Sequence, residues 1–100
     1  MSVYLIGSFE VTDPELYADY ARQAPATVAA HGGEYLARGG ATELLEGEPH
    51  GKRQVIIRFP SMAAARAWYN SPEYVPLRAL RNRAAHGPLL FTVGTDEPAP

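Results

Sequence analysis

The chain has no cysteine, and Trp68 is its only tryptophan. The absence of cysteine excludes disulfides, thiolate metal ligands and cysteine nucleophiles. No long apolar run occurs, and no positively charged segment precedes an apolar one near the start. We therefore expect neither a signal peptide nor a membrane span, and the cytoplasm is the default location. The net charge of −2 gives no electrostatic basis for binding nucleic acid.

The length and composition predict one globular domain. The chain has 100 residues, of which 46% are hydrophobic and 20% are charged. We place the domain at residues 1–94 and expect residues 95–100 to form a flexible tail. Arginines at positions 66, 78, 81 and 83 are interpreted as a solvated helix face.

Hydrophobic periodicity predicts an alternation of strands and helices. Strands are expected at residues 3–10, 34–38, 52–59 and 89–93, with residues 41–46 extending the second strand after a bulge. Helices are expected at residues 14–30, 62–69 and about 76–86, with Asp13 and Ser61 as N-caps and a kink or break at Pro25. The order β-α-β-β-α-β predicts an α+β, ferredoxin-like fold, with an antiparallel sheet and helices on one face.

The predicted strands present two different faces. One set is almost entirely apolar and should pack under the helices: Val3, Leu5, Phe9, Tyr35, Val55, Ile57, Phe59, Leu89, Phe91 and Val93. The other set mixes apolar groups with hydroxyls and arginines: Tyr4, Ile6, Ser8, Leu36, Arg38, Gln54, Ile56, Arg58, Leu90 and Thr92. Such a mixed face is typical of a sheet-to-sheet dimer interface that encloses polar groups.

A seven-residue segment, Trp68-Tyr69-Asn70-Ser71-Pro72-Glu73-Tyr74, is the most distinctive part of the chain. Ser71 and Pro72 are a typical N-cap and first-turn pair, so they predict a corner between two helices that brings Tyr69, Asn70 and Tyr74 close together.

This segment, with Arg38-Gly39-Gly40, Glu46-Gly47, Phe59-Pro60, Leu77 and Leu80-Arg81 in the same order, resembles the DUF1330 family from about Val3 to Gly94. The resemblance implies a homodimer in which two sheets form a dimeric α/β barrel. The family has no known function, and its superfamily includes cofactor-independent monooxygenases, isomerases and haem-dependent enzymes. That range does not select one activity.

Arg38 and Arg58 are the first candidates for chemistry, because each is predicted on the mixed face. An enclosed guanidinium can hold a carboxylate or enolate oxygen. The alternative is an interface ion pair with Glu10, Glu34 or a carboxylate of the partner.

The histidines show no metal-ligand spacing, and we predict neither a metal nor a cofactor. His31 is a third catalytic candidate. It and His86 each precede a glycine at a predicted helix end, where a cap is the alternative role. His50 is expected in a solvated turn.

Aromatic residues at helical spacing either line a cleft or belong to the core. The candidate substrate pocket comprises Ser8, Arg38, Arg58, Trp68, Tyr69, Asn70 and Tyr74. Two functions stay open. One is a small homodimeric, enzyme-like protein that binds a small oxygenated, partly apolar molecule in a pocket of the barrel. The other is a non-catalytic small-molecule-binding or interaction module.

Overall fold

The computed structural model describes residues 2–48 and 51–96. Its helices and strands are β1 (Val3–Val11), α1 (Pro14–Ala30), β2 (Glu34–Arg38), β3 (Arg53–Phe59), α2 (Met62–Tyr69), α3 (Val75–Ala84), β4 (Ala85–His86) and β5 (Leu89–Val93). The predicted α+β architecture with an antiparallel sheet is confirmed. The predicted turn at residues 48–51 includes Pro49 and His50, which lie outside the described residues, as do residues 97–100 of the predicted tail.

Strand β1 is the centre of the sheet. It pairs antiparallel with β3 on one side and with β5 and the short β4 on the other. Strand β2 pairs with the outer edge of β3, so the main strands lie in the order β2-β3-β1-β5. In this register Ile6 lies opposite both Ile56 and Leu90.

The helix-facing side of the sheet forms the core, as the apolar alternation predicts. On β1 and β3 the buried side chains are Val3, Leu5, Phe9, Val55, Ile57 and Phe59. The ring of Phe59 lies 5.3 Å from that of Trp68 on α2, which joins the sheet to the helices. Val93 was predicted in this set but is 49% exposed, because it lies at the end of the edge strand β5.

The predicted caps form as hydrogen bonds. Asp13 accepts from the backbone N–H of Leu16, and Ser61 accepts from that of Ala64. Helix α1 ends where Gly32 takes a φ of +78°, a conformation that favours glycine.

Three features of the helices and strands differ from the sequence predictions. Helix α1 continues through Pro25 without a break. Residues 41–45 are irregular and exposed, so β2 is not extended. Helix α3 ends at Ala84 rather than near residue 86, because the next two residues pair with Glu10 and Val11 as β4. His86 therefore lies in a strand and not at a helix end.

Candidate functional site

A β-bulge places Arg38 on the helix-facing side of the sheet. Tyr35 pairs with Ile57 and Ala37 with Ile56, so Leu36 is the extra residue of β2. A one-residue shift exchanges the two faces of a strand. Arg38 consequently pairs with Val55, whose side chain is buried under the helices. The prediction that Arg38 lies on the mixed outer face is wrong, because the bulge occurs before Arg38 rather than after it.

Pro25 gives Arg38 a hydrogen-bond acceptor. A proline within a helix has no N–H to donate to the carbonyl four residues earlier, which here is that of Ala21. Arg38 Nη2 donates to this carbonyl oxygen. The guanidinium also lies 5.1 Å from the centre of the Tyr35 ring. Pro25 therefore determines which carbonyl of α1 the exposed Arg38 side chain contacts.

The corner between α2 and α3 places Tyr74 in the core. Ser71 Oγ accepts a 3.2 Å hydrogen bond from the backbone N–H of Tyr74 and donates a 2.8 Å bond to the Trp68 carbonyl. The Ser71 hydroxyl thus closes the turn at the corner but is not the N-cap of α3 as predicted, because α3 begins at Val75 and its N-cap residue, Tyr74, makes no side-chain capping bond. Tyr74 has no exposed surface, and its ring lies 4.0 Å from that of Trp68.

Arg81 is buried, which corrects its assignment to a solvated helix face. It is 5% exposed and shares the buried side of α3 with Leu77 and Ala84. Its Nη1 donates a 2.6 Å hydrogen bond to the Tyr74 hydroxyl, and its Nη2 donates a 3.2 Å bond to Asn82 Oδ1. The helical spacing of Leu77, Arg81 and Ala84 is the sequence signal that indicates this burial.

Arg53 was not predicted to belong to the site. It precedes Val55 and Ile57 by even intervals on β3, so strand alternation places it on the same helix-facing side. Its Nε donates a 3.1 Å hydrogen bond to the Tyr17 hydroxyl, and its guanidinium lies 4.9 Å from the centre of that ring. The alternation of β3 indicates this position, because Arg53 is the next residue on the helix-facing side before Val55.

These side chains surround a small cavity between helices and sheet, which we call the arginine–tyrosine cavity. The volume open to the centre of a water-sized sphere is about 20 Å³, enough for one water molecule. Its polar lining comprises Tyr17, Tyr20, Tyr35, Tyr74, Arg38, Arg53 and Arg81, with the indole of Trp68. Apolar side chains complete it, among them Leu5, Phe9 and Leu89. Among the described residues that line it there is no aspartate, glutamate or histidine.

Burial keeps the phenols of the cavity protonated. It raises the pKa of Tyr20 and Tyr74 above the ordinary value, and it raises that of Tyr35 to about 12. Burial disfavours the charged form of Arg81, and the net upward shift of its pKa comes mainly from Tyr74 and Tyr20, which carry negative charge only in strongly alkaline solution. At neutral pH the cavity therefore contains neutral O–H groups and cationic guanidinium groups.

The hydroxyls of Tyr20 and Tyr74 leave one proton without an acceptor. They are 2.8 Å apart, and either can donate to the other, but only one proton can lie between them. Arg81 is itself a donor to Tyr74 and accepts nothing. Arg81 also interacts with the Tyr20 hydroxyl, again only as a donor, and no acceptor for the second phenol proton is found within the described part of the chain. One phenol O–H is thus available to an acceptor in the cavity.

The structure brings Arg38, Trp68 and Tyr74 together from the predicted pocket and leaves Arg58 and Ser8 elsewhere. Arg58 forms a 2.8 Å ion pair with Glu34, the alternative role considered from the sequence. Ser8 belongs to the outer face, where its Oγ is buried with no hydrogen-bond partner among the described residues.

The remaining candidates lie at helix ends. His31 caps α1, and its Nδ1 lies 3.0 Å from the Thr27 carbonyl oxygen. Asn70 is exposed at the end of α2 and donates to the Arg66 carbonyl. The ring of Tyr69 lies 6.2 Å from that of Tyr74, as the corner predicts, but Tyr69 does not line the arginine–tyrosine cavity.

Two negative findings apply to residues 2–48 and 51–96. No group of three or more histidine, cysteine or acidic residues there is arranged to hold a metal ion. No helix there has the length and apolar character needed to cross a membrane.

Comparison with family models and with curated proteins gives one match. The model described as "Domain of unknown function (DUF1330)" matches residues 2–95, which confirms the resemblance found in the sequence. No curated protein matches significantly.

Solved structures show the same fold at low sequence identity. RPA0582, a protein of unknown function from Rhodopseudomonas palustris, is 21% identical with a TM-score of 0.76, over 91% of this chain and 80% of that one. SnoaB, a cofactor-independent oxygenase from Streptomyces nogalater, is 15% identical with a TM-score of 0.63, over 97% of this chain and 96% of that one. Rv0793 from Mycobacterium tuberculosis is 18% identical with a TM-score of 0.55, over 99% of this chain and 100% of that one.

Proposed function

The chain belongs to the DUF1330 family, and from that premise we propose that it is a homodimeric, enzyme-like protein that binds a small oxygenated, partly apolar molecule. The binding site in this proposal is the arginine–tyrosine cavity, between the helices and the sheet. The observation that carries the proposal is the convergence of guanidinium and phenol donors in a cavity whose described lining has no acidic partner. Enclosed polar groups that converge on one cavity are typical of ligand sites.

The lining matches the two halves of such a molecule. Phenol and guanidinium groups suit its oxygen atoms, whereas Trp68, Phe9 and Leu89 suit an apolar body. The cavity itself holds only about one water, so a larger molecule needs a side chain to move. Arg38 is the exposed member of the lining and is held there by the Ala21 carbonyl. Its displacement would widen the site toward solvent.

The sheet supports the homodimeric part of the proposal. In our proposal the strand order β2-β3-β1-β5 is interpreted as ferredoxin-like, and the free face of such a sheet is available to a second copy. On that face Ile6 and Leu90 are 36% and 48% exposed, and they lie side by side in the register. Large apolar groups grouped on an exposed sheet favour an interface.

An enzymatic role is supported by the fold and by the cavity electrostatics. Preorganised donors stabilise an oxygen atom on which negative charge develops, which is the main contribution of many enzymes that have no cofactor. The cofactor-independent oxygenase SnoaB shares this fold. In our proposal Arg81 and the Tyr20–Tyr74 pair hold the substrate oxygen, and Arg53 adds positive charge from the sheet.

A non-catalytic binding module is the second candidate, and one observation favours it. No carboxylate or imidazole belongs to the described lining of the cavity, and the raised pKa values of Tyr20 and Tyr74 keep those phenols protonated at neutral pH, so that they cannot serve as general bases. Binding without turnover needs no such base. Turnover of a bound compound, lost in a variant that still binds it, would decide for the enzyme.

The test of the proposed site uses Trp68, the only tryptophan, as a fluorescent reporter in the cavity wall. Benzoate, benzamide and benzyl alcohol are titrated against the wild type, and at least one should change the fluorescence saturably. Ala21→Phe, which fills the cavity, should abolish the change, whereas Ala18→Phe on the exposed side of α1 should preserve it. The proposal fails if none of the three probes binds or if Ala21→Phe binds them unchanged.

A further inference from the structure

The arginine–tyrosine cavity has an excess of positive charge that its own residues do not neutralise. Arg81 is 5% exposed, and its described partners are the hydroxyls of Tyr74 and Tyr20, the Asn82 amide oxygen and the Phe9 ring, whose centre lies 5.6 Å from the guanidinium. None of these carries a negative charge. Arg38 and Arg53 line the same cavity and add charge of the same sign. Buried charges in proteins are ordinarily paired with an opposite charge.

The free phenol proton requires a hydrogen-bond acceptor, just as the charge of Arg81 requires an anion. The Tyr20–Tyr74 pair has one O–H without an acceptor in the described chain, beside a guanidinium that is also a donor. An occupant that offers two acceptor oxygens and a negative charge satisfies both groups at once. A water molecule fits the volume and accepts the phenol proton, but it leaves the charge of Arg81 uncompensated.

The apolar part of the lining limits which anion suits the site. The rings of Trp68 and Tyr74 lie 4.0 Å apart, and Phe9 and Leu89 belong to the same lining. These surfaces cannot hydrate a phosphate or a sulfate, whose high charge density requires many donors. A flat carboxylate on an aromatic or otherwise unsaturated body matches both parts of the wall.

We propose that the ligand of this cavity is a monoanionic carboxylate with a flat apolar body, whose carboxylate lies between Arg81 and the Tyr20–Tyr74 hydroxyls. This inference rests on the proposed function and adds to it the charge and the chemical class of the ligand. In it Arg81 provides the compensating charge, the phenol pair donates its free proton to one carboxylate oxygen, and Arg53 approaches from the sheet. Arg38 leaves the Ala21 carbonyl to admit the molecule, because the cavity with that bond in place holds only about one water.

The experiment compares benzoate with benzamide, which has nearly the same shape and no charge. Both are titrated by Trp68 fluorescence at fixed ionic strength, with sodium fluoride as the background salt. A charge-assisted contact in an enclosed site is expected to favour benzoate by about 10- to 100-fold. Arg81→Met should reduce that preference to about 3-fold or less. Arg83→Met removes the same charge from an exposed position of α3 and should keep the full preference.

The outcomes distinguish a failure of the carboxylate inference from a failure of the proposed binding site. If neither probe binds, and benzyl alcohol does not bind, the proposed site itself is wrong. If benzamide binds as tightly as benzoate, the site stands and the anion inference is overturned. A parallel titration with sodium chloride tests for a simple halide site. Chloride that binds saturably while benzoate does not would also overturn the carboxylate assignment. If Arg81→Met does not fold, the benzoate-to-benzamide ratio of the wild type still decides.

Discussion

Arg81 donates a 2.6 Å hydrogen bond to the hydroxyl of Tyr74, a residue with no exposed surface. The bond joins the middle of α3 to the corner that precedes it, and it places a guanidinium against aromatic walls rather than against a carboxylate. A cation in such surroundings reduces the stability of the fold unless something else compensates for it. Residues that cost stability are often those that a binding site requires.

The first prediction concerns the stability of the protein without ligand. Arg81→Met removes the uncompensated charge and keeps most of the side-chain volume, so the free energy of unfolding should rise by about 1 kcal/mol. Arg83→Met, which changes an exposed side chain on the same helix, should alter it by less than about 0.5 kcal/mol. Urea unfolding of the three proteins provides the measurement.

A loss of stability in Arg81→Met would contradict this account. It would mean that the bonds from Arg81 to Tyr74 and Asn82 outweigh the cost of burying the charge, and that Arg81 is mainly a structural residue. Benzoate added in excess should reverse the ranking, because ligand binding stabilises only the protein that binds it.

The second prediction is a loss of stability in alkaline solution. The fold raises the pKa of Tyr20, Tyr35 and Tyr74 above about 10, their value in an unfolded chain. Above about pH 10 the unfolded chain therefore releases protons that the folded chain keeps, and the free energy of unfolding falls as the pH rises. Each phenol that stays protonated in the fold while it is ionised in the unfolded chain contributes about 1.4 kcal/mol per pH unit. Urea unfolding between about pH 9 and pH 11.5 measures the slope.

Tyr74→Phe is the control for this slope. The variant has one protonated phenol fewer, so its stability should fall less steeply above about pH 10. The bond that Arg81 loses in this variant is independent of pH over this range, because a guanidinium stays charged. That loss displaces the whole curve without changing its slope. Equal slopes for the two proteins would show that Tyr74 ionises in the fold.

The sequence predicts the fold well because the determinants of the fold are local. Strand alternation identifies the buried side of β1 and β3, and the cap residues Asp13 and Ser61 identify where α1 and α2 begin. Both signals depend only on neighbouring residues. The DUF1330 resemblance likewise depends on short motifs, the corner segment foremost, that follow one another in a fixed order along the chain, and the family model confirms it.

The site is predicted less well because its determinants are not local. The position of Arg38 depends on where a single bulge lies in β2, and every residue beyond the bulge changes face. Arg53 and Arg81 have the periodicity of buried residues, yet each is charged. The burial of Arg81 becomes informative only because the described lining of the cavity has no acidic side chain, and that lining is known only from the assembled fold.

The third prediction tests the homodimer. Light scattering at micromolar concentration should give the wild type twice the mass of one chain. Ile6→Glu places a charge at the centre of the outer sheet face, opposite Ile56 and Leu90, and should weaken association by at least about 10-fold. Ala18→Glu makes the equivalent change on the exposed side of α1 and should remain dimeric. A monomeric wild type, or a fully dimeric Ile6→Glu, would argue against this interface.

The last prediction tests why a proline lies within α1. Pro25→Ala restores an N–H that donates to the Ala21 carbonyl, so the helix gains a hydrogen bond and Arg38 loses its acceptor. The free energy of unfolding should rise by about 1 kcal/mol, since proline is unfavourable within a helix but restricts the unfolded chain. The guanidinium hydrogens of Arg38 should exchange faster with water in NMR spectra. Benzoate should enter and leave more quickly if Arg38 covers the cavity.

Pro76→Ala is the matched control. Pro76 lies in the first turn of α3, where a backbone N–H has no carbonyl acceptor within the helix. Exchange at Arg38 that is the same in Pro25→Ala as in the control would show that Pro25 does not hold Arg38 in place.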